Sequence, residues 1–117
     1  MAHTVLIVDD HPSFRASARA LLEAEGFRVV GEAEDGATGL SRVRELRPEV
    51  VVLDVQLPDI DGFDVAGRLT GNGAAPTVIL VSSRDRDDLG LQVARSGARG
   101  FIPKSELSGK SITELLR

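Results

Sequence analysis

Four short apolar stretches of this 117-residue chain end in side chains that can bind ions or attack an electrophile. Asp9 and Asp10 close the run from Thr4, Asp54 closes Val50 to Leu53, Ser82 and Ser83 close the run from Thr77, and Lys104 follows Gly100 to Pro103. Carboxylates, hydroxyls and an ammonium are the ingredients for holding a cation beside an anion. They become a site only if the fold brings the four ends together, so the elements that carry them come next.

The run Thr4 to Val8 is β-branched and aliphatic throughout, as a strand buried on both faces would be. From Pro12 the pattern turns helical: Phe14, Ala18, Leu21 and Leu22 recur at helix spacing, Pro12 suits a first turn, and Gly26 supplies a stop. The alternation repeats, with strands at Arg28 to Glu32, Val50 to Leu53, Thr77 to Ser82 and Gly100 to Pro103. Helices are read from Gly36 to Leu46, Gly62 to Thr70, Asp85 to Ser96 and Lys110 to Leu116, with Gly97 as another stop. Five strands alternating with five helices imply right-handed βαβ units. The fold class is therefore α/β, a doubly wound five-stranded parallel sheet with helices on both faces, in one domain over residues 1–117.

In such sheets ligands bind beyond the carboxyl ends of the strands, where the strand order reverses. With the flavodoxin-like order 2-1-3-4-5, strands one and three are neighbours and their terminal aspartates face each other. Two carboxylates about 4 Å apart repel by roughly 4 kcal/mol at an effective dielectric near 20. Either one stays protonated or a cation sits among them, and an all-oxygen site with room for water suits Mg²⁺. Beside such a cation a carboxylate can also attack a phosphoryl group. Asp54 is the best nucleophile, since it stands alone at the end of an apolar run and precedes the turn-rich segment Pro58 to Gly62. The Ser82 hydroxyl and the Lys104 ammonium could each bond a phosphoryl oxygen.

Bulk properties exclude several functions. There is no cysteine, which removes thiol chemistry and thiolate metal sites. The N-terminus lacks a basic region and a long apolar segment, so neither a signal peptide nor a membrane span is read, and a cytoplasmic protein is expected. Net charge is −4, and no basic stripe with interleaved aromatics occurs, so this chain is not expected to bind nucleic acid directly.

Over essentially its whole length the chain resembles the receiver domains of two-component response regulators. LIVDD at residues 6–10 resembles the family's acidic pair. VLD at 52–54, followed by LP at 57–58 and DG at 61–62, resembles its phosphoacceptor segment. ILVS at 79–82 and GARGFIPK at 97–104 are similar to its hydroxyl-bearing strand and its lysine motif. The resemblance implies phosphorylation of Asp54 by a sensor histidine kinase or a small phosphodonor. It further implies Mg²⁺ bound by Asp10, Asp54 and the Gln56 carbonyl, with Asp9 holding a coordinated water, and Ser82 and Phe101 as a switch pair. A homodimer through the fourth and fifth helix region or the first helix is one partner arrangement open to the chain, and the oligomeric state itself is not read from the sequence. DDHP at 9–12 is similar to the subfamily that usually carries a C-terminal helix-turn-helix, which this chain is read as lacking. In one departure Ser105, rather than proline, follows Lys104, which leaves the loop geometry there open.

Each residue has a plainer role to weigh. Asp10 before Pro12 could be a helix N-cap, Ser82 a core-edge hydroxyl, Phe101 a core aromatic and His11 a helix-start residue. The acids and the lysine at matching strand ends favour a site. An aspartyl-phosphate hydrolase would need a second acid near its nucleophile, but Gln56 stands two residues after Asp54. A flavin carrier would want Trp or Tyr, and the chain has neither. The remaining alternative is a docking module that is not phosphorylated; the intact acids, hydroxyl and lysine argue against it. The chain is therefore read as a phosphoacceptor and not as an enzyme.

Overall fold

A computed structural model of the protein describes residues 3–71, 76–83 and 90–116. Its strands are β1 (Thr4–Val8), β2 (Arg28–Ala33), β3 (Val50–Asp54), β4 (Thr77–Ser82) and β5 (Gly100–Pro103), and its helices are α1 (Pro12–Ala24), α2 (Gly36–Leu46), α3 (Gly62–Thr70), α4 (Gly90–Arg95) and α5 (Gly109–Leu116). All pairings are parallel and the order is β2-β1-β3-β4-β5, the expected topology. Of the helix expected from Asp85, residues 85–89 lie outside the described residues. The described part stops at Arg95, one residue short of the expected Ser96. β2 and β3 each run one residue further than expected, which puts Asp54 inside its strand.

Side chains alternate across a strand, and this sheet is buried on both faces. Val5, Ile7, Val50, Val52, Ile79, Val81 and Ile102 pack on one side with Ala18 and Leu22 of α1 and Ile112 of α5. Leu6, Val8, Val51, Leu53, Leu80 and Phe101 pack on the other side with Val65, Ala66 and Leu69 of α3. Strands apolar on both faces need helices on both faces, and the βαβ order supplies them.

Carboxylates fix the loops at the carboxyl edge. Asp35 caps α2 by accepting the Thr38 N–H at 2.7 Å, and Asp61 caps α3 by accepting the Phe63 N–H at 2.7 Å. Asp59, in the β3–α3 loop, reaches across to α2 and accepts the N–H groups of Gly36 at 2.7 Å and Ala37 at 2.9 Å. The same loop folds back so closely that a Cβ on Gly62 would stand 2.2 Å from the Asp54 carbonyl oxygen, so only glycine fits. The loop after Asp54 is thus pinned to β3 by Gly62 and to α2 by Asp59.

The Ala37 and Gly36 N–H bonds lower the Asp59 pKa below the ordinary aspartate value of 3.8. Stability from a lowered carboxyl pKa is present above the unfolded value and is lost as pH falls through the folded one. Asp59→Ala should therefore lower the melting temperature at neutral pH. The gap from wild type should shrink as pH is taken below about 3.8; a gap constant across that range in a pH series of melts would show that the carboxylate is not the anchor.

Candidate acidic site at the carboxyl edge of the sheet

Because β1 and β3 pair in register from Val5 with Val50 to Val8 with Leu53, Asp9 and Asp54 follow one another at adjacent strand ends. By alternation both share the parity of the α1 and α5 face, through Ile7 and Val52. Lys104 has that parity too, two residues after Ile102. The structure brings the three together: Lys104 Nζ lies 2.7 Å from Asp9 Oδ2 and 3.2 Å from Asp54 Oδ2. Asp9 is fully buried and Asp54 nearly so, whereas Asp10 is exposed at the rim.

The hydrogen bonds are unevenly shared. Asp54 Oδ1 accepts the Gln56 N–H at 3.1 Å and its Oδ2 accepts from Lys104. Asp9 Oδ1 accepts the His11 N–H at 2.8 Å. Asp9 Oδ2 is a buried oxygen whose close partner is the Lys104 ammonium, a charge contact at 2.7 Å. Burial is the largest influence on Asp54 and raises its pKa. The Gln56 N–H lowers it, the Asp9 charge raises it further and Lys104 lowers it, and the balance stays above the ordinary aspartate value. Burial alone would lower the Lys104 pKa, but Asp9 and Asp54 outweigh it and the ammonium is held charged.

The donor set fits a cation. Ligand atoms of Asp9, Asp10, His11 and Asp54 lie within 4.8 Å of one another, and an unsatisfied buried carboxylate oxygen lies among them. Hard oxygen donors with solvent at the rim match the coordination habits of a small divalent ion.

Two expectations change in detail. Asp10 is not an N-cap: His11 holds that position with no side-chain cap bond, and Asp9, one residue earlier, takes the His11 N–H instead. After Lys104 the chain enters a 3₁₀ turn, Lys104–Glu106, and Leu107 returns to the core, which settles the path that Ser105 left open. Ser82 and Phe101 are both buried. Phe101 pairs with Leu80 and Ser82 lies two residues beyond, so both have the parity of the α3 face, opposite to the acids. Gln56 is exposed, and the structure shows its N–H on Asp54.

Three residues contact the site in ways that the sequence does not place: His11 reads there only as a helix-start residue, Phe14 only as part of the α1 apolar stripe, and Arg15 not at all. His11 Nδ1 stands 3.1 Å from both Asp9 and Asp10. Arg15 donates to the Asp9 carbonyl at 2.6 Å and shares Glu32 with Arg19. The Phe14 ring lies 4.6 Å from Lys104 Nζ. For Phe14 and Arg15 the only sequence signal is their place early in α1, one turn above the acids.

The family model for the response regulator receiver domain matches residues 5–116. The virulence factors putative positive transcription regulator BvgA of Bordetella pertussis is 41% identical over 106 residues, covering 91% of this chain and 51% of that protein. The chain thus spans about half the length of the first curated relatives it matches. The chemotaxis protein CheY of Bacillus subtilis is 33% identical over 89% of this chain and 87% of its own length. The receiver domain of a NarL regulator from Mycobacterium tuberculosis superposes with a TM-score of 0.86 at 34% identity, covering 97% of this chain and 94% of that one. The matching strand order, the acidic site between β1 and β3 and these likenesses agree: the chain belongs to the response regulator receiver domains, the phosphoacceptor domains of two-component systems.

Proposed function

We propose that Asp54 is the phosphoacceptor of this domain. The observation that carries the reading is a buried carboxylate at the end of β3 that shares the Lys104 ammonium with Asp9. The donor is a sensor histidine kinase, with small phosphodonors able to substitute. An Asp54 carboxylate oxygen attacks phosphorus and a P–O bond forms. The P–N bond to the kinase histidine breaks, and the departing imidazole nitrogen keeps the electron pair and takes up a proton from solvent. Lys104 meets one phosphoryl oxygen with its charge and Ser82 meets another with its hydroxyl. Asp10, Asp54 and the Gln56 carbonyl would hold Mg²⁺, with Asp9 holding one of its waters; the ion would supply neutralising charge for the incoming group. The domain accepts a group and passes on a signal rather than turning over an external substrate.

Receiving the group is useful only if a surface changes. Ser82 and Phe101 are the switch pair of this reading, supported by their shared face and by the pairing of Leu80 with Phe101. The responding face is formed by α4, β5 and α5, and a homodimer through that region or through α1 is the partner arrangement it suits. Residues 1–117 act as one receiver domain in the cytoplasm, with no membrane partner; no described helix is long and apolar enough to cross a bilayer. With a net charge of −4 the chain should not bind DNA directly. Any gel shift it gives should be weak and abolished by moderate salt, and a salt-resistant, sequence-selective shift would refute that.

Intact-mass analysis after incubation with acetyl phosphate and Mg²⁺ should show one added phosphoryl group on wild type and none on Asp54→Asn. EDTA should suppress it as well. Equal labelling of the variant would place the acceptor elsewhere.

Moving a two-state switch from about 1:99 to 99:1 takes roughly 5.5 kcal/mol, more than one neutral hydrogen bond contributes. Lys104 and the bound cation must share that with Ser82. Ser82→Ala should therefore keep Asp54 phosphorylation and lose part of the conformational response. Amide NMR shifts across residues 90–106, with and without beryllofluoride, measure it, and a full response in the variant would remove Ser82 from the relay.

A further inference from the structure

We propose that Phe14 is a positioning residue for the phosphoryl site, holding the Lys104 ammonium over its ring while the two carboxylates draw it from the other side. The proposal rests on reading Asp54 as the phosphoacceptor. Lys104 Nζ lies 4.6 Å from the Phe14 ring centroid, within the range where a cation is attracted to the negative face of an aromatic ring. The same nitrogen is 2.7 Å from Asp9 and 3.2 Å from Asp54. The ammonium is therefore contacted by two acids that compete for it and by a neutral surface that favours neither.

The placement follows from the chain. Phe14 is the third residue of α1, and the helix packs on the face of the sheet that carries Asp9, Asp54 and Lys104 by parity. Phe14 is half-buried and packed against the core there, so the ring is fixed by neighbours other than the lysine. The Lys104 side chain is mostly buried, which weakens competition from water and strengthens the attraction to the ring. When a phosphoryl group arrives on Asp54, the ammonium has a short distance to travel and its direction is already set. Such preorganisation lowers the ordering cost of the new contact.

The plainer alternative is that the lysine stem merely packs on an apolar ring. Charge and stem can be separated, because Lys104→Met keeps a long apolar side chain and removes the ammonium. Binding of beryllofluoride in the presence of Mg²⁺ is measured for wild type, Phe14→Leu, Phe14→Tyr, Lys104→Met and the Phe14→Leu, Lys104→Met double variant, with thermal melts to confirm folding. Phe14→Leu should weaken binding about three- to tenfold in the Lys104 background and have no effect in the Lys104→Met background, while Phe14→Tyr should bind like wild type. If Lys104→Met binds too weakly to measure, the Leu against Tyr comparison decides. The Lys104 ε-methylene protons should show an upfield ring-current shift in wild type and Phe14→Tyr that vanishes in Phe14→Leu. Equal losses in both backgrounds, no loss at all, or the absence of the ring-current shift would overturn the proposal. Beryllofluoride binding that survives Asp54→Asn would instead overturn the phosphoacceptor reading, and the ring-current measurement would still decide whether Phe14 holds the ammonium.

Discussion

The Lys104 ammonium between Asp9 and Asp54 is the contact on which the arrangement of this edge depends. Two carboxylates buried at neighbouring strand ends repel each other and lose their hydration, and one cation from the protein can only partly offset both effects. The raised Asp54 pKa expresses that shortfall. β4 stands between β3 and β5, so the lysine must span two strand spacings, about 10 Å, to reach Asp54. A long stem with a compact charged tip meets that requirement. A further cation at this edge would offset the same shortfall.

Sheet parity then divides the labour. Asp9, Asp54 and Lys104 belong to the side that packs on α1 and α5, whereas Ser82 and Phe101 belong to the side that packs on α3. Ser82 pairs with Pro103, the residue before Lys104, so the two sets meet at the β4 and β5 ends without sharing a face. A charge change on one face can in this way be felt by packing on the other through a single strand thickness. The loop after β3 is held by the Asp59 bonds to α2 and by the close approach of Gly62 to the Asp54 carbonyl, which fixes the backbone at Asp54.

Most of this was legible in the sequence because strands apolar on both faces and helices with stop glycines leave strong local patterns. The acids at the ends of β1 and β3 and the lysine after β5 could be placed from them; the strand order 2-1-3-4-5 comes from analogy with other doubly wound sheets rather than from local pattern, and it is the order found. What could not be read were contacts made by residues far apart in sequence. Asp59 looked like a turn residue, yet it anchors a helix that begins 23 residues earlier. Asp10 could be weighed as a cap because it precedes Pro12, but the helix starts one residue later with His11 at the N-cap, and it is Asp9 that accepts the His11 N–H. Phe14 fits the apolar stripe of α1, and periodicity says nothing about which face of the ring meets a cation.

The first turns of α1 therefore do more than cover the sheet. Asp9 closes the turn into the helix through the His11 N–H, and Pro12 sets the first helical residue. Phe14 then meets Lys104, and Arg15 donates to the Asp9 carbonyl while its Nε and that of Arg19 grip the two oxygens of Glu32 on β2. Arg15 and Glu32 are both partly buried, so this pairing is less screened than a surface ion pair, and it ties the start of α1 to β1 and β2 together. Adjacent helix residues thus brace the backbone of one acid and the cation that serves it. A shift of α1 would move both at once, which makes the helix that begins at Pro12 part of the site it borders.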